Sequence, residues 1–106
     1  MDLKEKRLLS MVSLARKAGK VATGEEGCEK AVQKGLACLL FVATDASAGT
    51  KKKFTNKTTF YKVPLRSLFT KEQMGEAIGT HGRATIVVTD EGFSNKMLDI
   101  IESMGD

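Results

Sequence analysis

The sequence predicts an α/β fold, a three-layer α-β-α sandwich in which a mixed sheet of about four strands lies between two helical layers. Amphipathic helical patterns alternate along the chain with short apolar runs, which is typical of a layered domain. Two runs, residues 38–43 and 84–89, resemble strands that are covered on both faces. The chain has 106 residues and neither a linker nor a repeat, so we expect one domain over residues 1–106.

The first two elements are helices with recognisable signals. The first is predicted over residues 3–18, because its apolar side chains fall on one face: Leu8, Met11, Val12, Ala15 and Ala18. Gly19 ends it, and residues 20–22 form at most a short strand. Thr23 and Glu26 have the spacing of a capping box, which predicts the start of a second helix.

The middle of the chain gives weaker signals. After the strand at 38–43, either Asp45 or Ser47 is placed to cap a third helix that carries residues 51–54. Residues 60–63 alternate between apolar and polar character, and they predict a short strand that stops at Pro64.

The last elements are well marked. Thr70 and Gln73 form a second capping-box pattern, Phe69 and Met74 have the spacing of a hydrophobic staple, and Gly79 ends this fourth helix. After the strand at 84–89, a final helix is predicted from an apolar stripe: Phe93, Met97, Ile100, Ile101 and Met104.

Charge and composition narrow the class of function. The net charge is +4, and residues 1–57 alone carry +6, which favours a polyanionic partner such as nucleic acid. No apolar run approaches the roughly 20 residues of a membrane span, and the N-terminus lacks a signal-peptide pattern. Cys28 and Cys38 form no CxxC motif, and the chain has one histidine. We therefore expect a cytoplasmic monomer with reduced thiols, no membrane contact, no metal and no cofactor.

Catalytic motifs are missing from the sequence, with one candidate pair left to consider. There is no phosphate-binding glycine loop, no GxGxxG after a strand and no GxSxG. Asp45 and Asp90 each follow an apolar run, and such a pair would hold Mg²⁺ in a small phosphotransfer or hydrolytic enzyme. The alternative is that each aspartate caps a helix. A third hypothesis is an adaptor protein that docks through its amphipathic first helix.

Two segments are suited to binding an anion or a folded RNA. The first is the start of the second helix. Gly24 permits close approach of another backbone, helix N–H groups point outward there, and a glutamate can accept hydrogen bonds from a guanine edge. The candidates are Thr23, Gly24, Glu25, Glu26 and Lys30. In the alternative reading, Glu25 and Glu26 only complement the helix dipole.

The second segment is the loop before the last strand. Its candidates are Thr80, His81, Gly82 and Arg83. Arg83 would bind a phosphate through two hydrogen bonds, and Gly79 and Gly82 allow the loop to adopt many backbone conformations. An ordinary connecting turn is the alternative. Lys17 and Lys20 complete the set of cations expected to neutralise phosphates around the start of the second helix.

Several motifs follow one another in a fixed order: residues 14–20, Gly24 with Lys30-Ala31, Gly35, Ala43-Thr44-Asp45, Val63-Pro64, Met74-Gly75-x-Ala77-x-Gly79 and residues 89–93. This order resembles the ribosomal protein superfamily of the L-seven-Ae and L-thirty-e type, which binds kink-turn RNA, and most closely its bacterial YlxQ-type branch. The resemblance implies a non-catalytic protein that binds structured RNA, kink-turn-like or ribosomal, through the two segments above. Family members commonly carry Asn-Glu where this chain has Glu26-Gly27.

Overall fold

The structure, a computed structural model, describes residues 1–105 and contains helices and strands in the alternating order that the sequence predicts. The described elements are α1 (Leu3–Lys17), β1 (Val21–Thr23), α2 (Gly24–Gln33), β2 (Leu39–Val42), α3 (Ala48–Tyr61), β3 (Leu65–Arg66), α4 (Lys71–Ala77), β4 (Thr85–Val88) and α5 (Glu91–Ser103). In these residues, no helix is both long and apolar enough to cross a membrane.

The four strands form one mixed sheet in the order β1-β4-β2-β3. Strand β4 runs antiparallel to both of its neighbours, whereas β2 and β3 are parallel. Strands β1, β2 and β3 therefore share one direction. We call the end of the sheet where they finish and β4 begins the Gly24 end, and the end where they start and β4 finishes the Lys20 end.

Helices cover both faces of the sheet, which confirms the predicted sandwich. Helix α1 packs with α4 and α5 in one layer, and α2 packs with α3 in the other. Every residue of β2 and β4 is buried, as expected for strands between two layers. Apolar side chains from the helices complete the core, and burying each contributes about 1.5–3 kcal/mol: Leu8, Val12, Val32, Phe54, Met74 and Met97.

Capping side chains fix where most helices begin. The predicted box at α4 is confirmed: the Thr70 hydroxyl accepts from the Gln73 N–H at 3.2 Å, and the Gln73 amide accepts from the Thr70 N–H at 2.9 Å. Ser47, not Asp45, caps α3, accepting from the Thr50 N–H at 3.1 Å. Helix α1 has a further capping box that the sequence reading did not identify, formed by residues 2 and 5.

The strand predicted over residues 60–63 is wrong. Helix α3 continues through Tyr61 because Phe54 and Thr58, one turn apart, are both buried on its inner face. The helix ends at Lys62, whose φ of 58° lies in the left-handed region, and β3 follows only after Pro64. A four-residue alternation is too short to outweigh a helical face that is already packed into the core.

Candidate functional site

Antiparallel pairing brings the two predicted segments together at the Gly24 end of the sheet. Strand β1 pairs with β4 so that Thr23 lies opposite Ile86, which sets the start of α2 beside the loop at residues 79–83. The end of β2 joins them, because the Ala43 N–H donates to the Ala84 carbonyl at 2.8 Å. Segments more than fifty positions apart in sequence therefore share one surface.

The start of α2 differs from the predicted capping box. The φ of Gly24 is +80°, outside the helical region, so regular helical geometry begins only at Glu25. This shift places Glu26 one position too early for the box, and Thr23 makes no capping hydrogen bond, so the predicted Thr23–Glu26 box is wrong. No side chain in residues 1–105 caps this first turn, which leaves its N–H groups free to bind a ligand.

The two glutamates of this turn have different surroundings. The Glu25 carboxylate accepts a hydrogen bond from the Thr50 hydroxyl and lies 3.9 Å from the Lys53 ammonium, so it joins α2 to α3. The Glu26 side chain is 84% exposed and forms a 3.1 Å ion pair with Lys30, which is 62% exposed. Because an exposed ion pair is weak, Glu26 and Lys30 can exchange this contact for a ligand at little cost.

The loop at 79–83 is held in shape by Arg83. Its guanidinium donates to the Gly82 carbonyl and to the Thr80 hydroxyl, each at 3.2 Å, and its backbone N–H donates to the Lys71 carbonyl at 3.1 Å. The Nε–H has no hydrogen-bond partner within residues 1–105 and can still donate. His81 and Gly82 are exposed at the tip of the loop.

Gly75 allows this loop to pack directly against α4, a role that the sequence did not indicate. The Thr80 N–H donates to the Gly75 carbonyl at 2.9 Å, where the chain turns back across the helix. A Cβ at position 75 would overlap the carbonyl oxygen of His81 and would lie 2.8 Å from the Cα of Gly82. The only sequence signal was the place of Gly75 within the motif at residues 74–79.

Lys71 is a second residue that the sequence reading missed. It begins α4 at the Gly24 end with an exposed side chain, and its backbone N–H donates to the Asp45 carboxylate at 2.8 Å. No pattern in the sequence distinguishes it from other surface lysines, because its placement depends on how α4 meets the end of β2.

Lys17 and Lys20 do not lie at this surface, so their predicted grouping with the start of α2 is wrong. The Thr89 N–H donates to the Lys20 carbonyl at 2.9 Å, which places Lys20 beside the end of β4. Lys17 ends α1 at the same Lys20 end of the sheet. Strand β1 separates them from Gly24 by about 10 Å, given a rise of about 3.3 Å per residue.

The proposed pairing of Asp45 with Asp90 is also wrong. Because β2 and β4 are antiparallel, their carboxyl ends lie at opposite ends of the sheet. Asp45 accepts from the Lys71 N–H at the Gly24 end, whereas Asp90 caps α5 at the Lys20 end, accepting from the Phe93 N–H at 2.9 Å. Within residues 1–105, no three His, Cys, Asp or Glu side chains form a group that could hold a metal. The capping alternative is confirmed for Asp90.

The fold and the site together define an α-β-α sandwich protein whose candidate surface consists of an uncapped helix start and a glycine-bearing loop. This chain belongs to the ribosomal protein L7Ae/L30e/S12e/Gadd45 family, whose model matches residues 6–98. The resemblance read from the sequence motifs is thereby confirmed.

Relatives in sequence and structure agree with this assignment. The chain is 36% identical to the RNA-binding protein YlxQ of Bacillus subtilis over 92 residues, which cover 87% of this chain and 92% of the relative. It is also 36% identical to the RNA-binding protein YlxQ of Enterococcus faecium over 96 residues, 91% of this chain and 92% of the relative.

Two solved structures have the same fold. A Bacillus halodurans protein of unknown function matches with a TM-score of 0.86 and 40% identity over 90% of this chain and 96% of its own. A 15.5 kD RNA-binding protein of Giardia lamblia matches with a TM-score of 0.82 over 97% of this chain and 88% of its own; at 18% identity, this likeness concerns the fold alone.

Proposed function

We propose that this chain is a non-catalytic RNA-binding protein, acting as one domain and as a cytoplasmic monomer, that recognises structured RNA of the kink-turn or ribosomal type. The observation that carries the proposal is the meeting of an uncapped helix start with the loop at 79–83 at the Gly24 end of the sheet. The RNA-binding names of its two YlxQ relatives support it.

The start of α2 would meet the RNA most closely. An ideal Cβ built on Gly24 has no atom within 4 Å, so the space beside this backbone is open to an RNA backbone. The exposed Glu26 carboxylate would accept hydrogen bonds from the N–H donors of a guanine edge. Lys30, released from Glu26, would then pair with a phosphate.

The loop would supply the second half of the surface. Thr80, His81 and Gly82 would pack against bulged nucleotides, and the free Nε–H of Arg83 would donate to a phosphate. Lys71, exposed beside the loop, adds a cation to the same side. Glu25 would contribute indirectly, because its bonds to α3 hold the first turn of α2 in place.

Binding of two labelled RNA hairpins tests this function. One hairpin contains a kink-turn internal loop, and the other is an uninterrupted duplex of equal length and charge. We expect tighter binding to the first, weakened by Lys30→Ala and unchanged by Lys96→Ala, a control because Lys96 is an exposed lysine of α5. Equal affinity for both hairpins, with equal losses for both variants, would show that binding is only electrostatic and would overturn the proposal.

A further inference from the structure

The Lys20 end of the sheet gathers exposed lysines that make no ion pair. Helices α1, α2 and α3 all finish at this end: Lys17 is the last residue of α1, and Lys34 and Lys62 are the C-cap residues of α2 and α3. Lys20 lies just before β1, and no ion pair within residues 1–105 involves any of these four. Each of the three helix-end lysines also complements a helix dipole, but its ammonium group remains in solvent.

Two aromatic rings stand exposed at the same end, directly before Lys62 in the sequence. Phe60 is 78% exposed and Tyr61 is 42% exposed, at the last turn of α3. Their ring centroids are 5.0 Å apart with an interplanar angle of 75°, an edge-to-face arrangement in which the rings support each other without becoming buried. The two rings in contact form a small apolar patch that faces solvent, and packing of the core does not account for it.

The sheet topology sets the width of this end. Strands β1 and β3 are the two edges of the sheet, three strand spacings or about 14 Å apart; Lys20 precedes β1, and Phe60, in the last turn of α3, precedes β3. Two acidic residues follow β4 at this end: Asp90 caps α5 by accepting from the Phe93 N–H, and Glu91 begins α5 with an exposed side chain, so the four lysines outnumber the carboxylates. Positive charge and aromatic surface therefore coincide over a distance that a few nucleotides can cover.

We propose that the Lys20 end is a second RNA-binding surface, which takes a single-stranded segment by stacking unpaired bases on Phe60 and Tyr61 while the lysines neutralise phosphates. This inference rests on the proposed function, since it extends binding of structured RNA at the Gly24 end to an unpaired flank. Unpaired bases are the ones that can stack on aromatic side chains, whereas a duplex keeps its bases stacked on each other.

A protein partner fits this surface less well. The cores of protein interfaces are depleted in lysine, and burial of four ammonium groups would cost their solvation unless the partner placed a carboxylate against each of them. Single-stranded RNA supplies both a phosphate for each lysine and a ring face for each aromatic side chain.

Tyr61 offers a direct probe, because it is the only tyrosine in a chain without tryptophan. We expect its fluorescence to be quenched by a ten-nucleotide oligouridylate and not by a duplex hairpin. The fluorescence of free N-acetyltyrosinamide at the same RNA concentrations corrects for light absorbed by the RNA. In anisotropy measurements with labelled oligouridylate, Phe60→Ala should weaken binding about tenfold, because one stacked base is lost, and Phe60→Tyr should retain it. Because Phe60 is exposed, neither change should affect folding.

The kink-turn hairpin separates this inference from the proposed function. Loss of oligouridylate binding in Phe60→Ala with unchanged hairpin binding supports the second surface. Oligouridylate binding that is unaffected by Phe60→Ala overturns it while leaving the Gly24 end intact. Failure of the hairpin to bind, with Phe60-dependent oligouridylate binding retained, overturns the proposed function alone. Concentration-dependent dimerisation abolished by Phe60→Ala would assign the rings to a second copy of this chain and overturn the inference.

Discussion

Gly75 and His81 are in contact across the turn that joins α4 to β4, and the backbone carbonyl of His81 occupies the space that a Cβ at position 75 would need. The loop is further held by the hydrogen bond from the Thr80 N–H to the Gly75 carbonyl, at 2.9 Å. A backbone atom cannot move aside as a flexible side chain can. The shape of the candidate RNA surface therefore depends on the absence of a side chain within α4.

Gly75→Ala should displace the loop and destabilise the fold. We expect the free energy of unfolding to fall by about 1–3 kcal/mol, the usual cost of overpacking, and hairpin affinity to fall with it. Gly49→Ala is the matched control, because Gly49 lies in α3 with no atom within 4 Å of its ideal Cβ. That change should stabilise the protein by about 0.5–1 kcal/mol. Chemical denaturation of both variants provides the comparison, and a stability gain in Gly75→Ala would contradict the account.

Two glycines at the start of α2 should respond in opposite ways to alanine. Gly24→Ala forces a side chain into a φ of +80° and should cost about 1–2 kcal/mol of stability. Gly27 lies inside the helix without a positive φ or a close neighbour, so Gly27→Ala should add about 0.5–1 kcal/mol. Thermal unfolding distinguishes the two, and equal shifts in melting temperature would be inconsistent with this geometry.

Glu26→Gln distinguishes two roles of the Glu26 carboxylate: accepting hydrogen bonds from a guanine edge, or only repelling the phosphates of any RNA. Its 3.1 Å ion pair with Lys30 is exposed, so its loss should change stability by only about 0.2–0.5 kcal/mol. If the carboxylate accepts from a guanine edge, affinity for the kink-turn hairpin should fall by about 1 kcal/mol while affinity for the duplex hairpin stays unchanged. Tighter binding to both hairpins would mean that Glu26 merely repels phosphate.

Much of the fold was predictable because short sequence patterns determine the positions of most helices and strands. The apolar runs at β2 and β4 and the box formed by Thr70 and Gln73 need no knowledge of distant residues. The hydrophobic periodicity of a strand does not indicate in which direction the strand runs within the sheet. The antiparallel pairing of β2 with β4 is what separates Asp45 from Asp90. The direction of β1 relative to β4 likewise carries Lys20 away from the loop at 79–83.

The parts of the candidate site that sequence reasoning missed depend on tertiary contacts. The positive φ of Gly24 takes the first residue of α2 out of regular helical geometry, which no spacing rule indicates. The role of Gly75 arises from a loop that crosses it six and seven residues later, at His81 and Gly82, and that of Lys71 from the meeting of α4 with β2. These are relationships between elements, whereas the motifs describe single elements.

The Cys28 thiol should make stability depend on alkaline pH. Burial raises its pKa to about 11 from an ordinary value of 9.0, so the folded state keeps the proton after the unfolded state has lost it. The contribution is complete below about pH 9 and is lost as pH rises towards 11, by about 2–3 kcal/mol. Denaturation of the wild type and Cys28→Ala at pH 8 and pH 10.5 tests this. The wild type should lose more stability than the variant, and parallel losses would refute the assignment.

Amide NMR spectra recorded while the kink-turn hairpin is added test the central claim most directly. The account predicts that the largest shifts fall on residues 24–27 and 79–83, which respectively follow β1 and precede β4 at the Gly24 end. Both segments should change together at the same RNA concentration, because they form one surface. Spectra in which these amides stay in place while shifts are confined to other parts of the chain would contradict it.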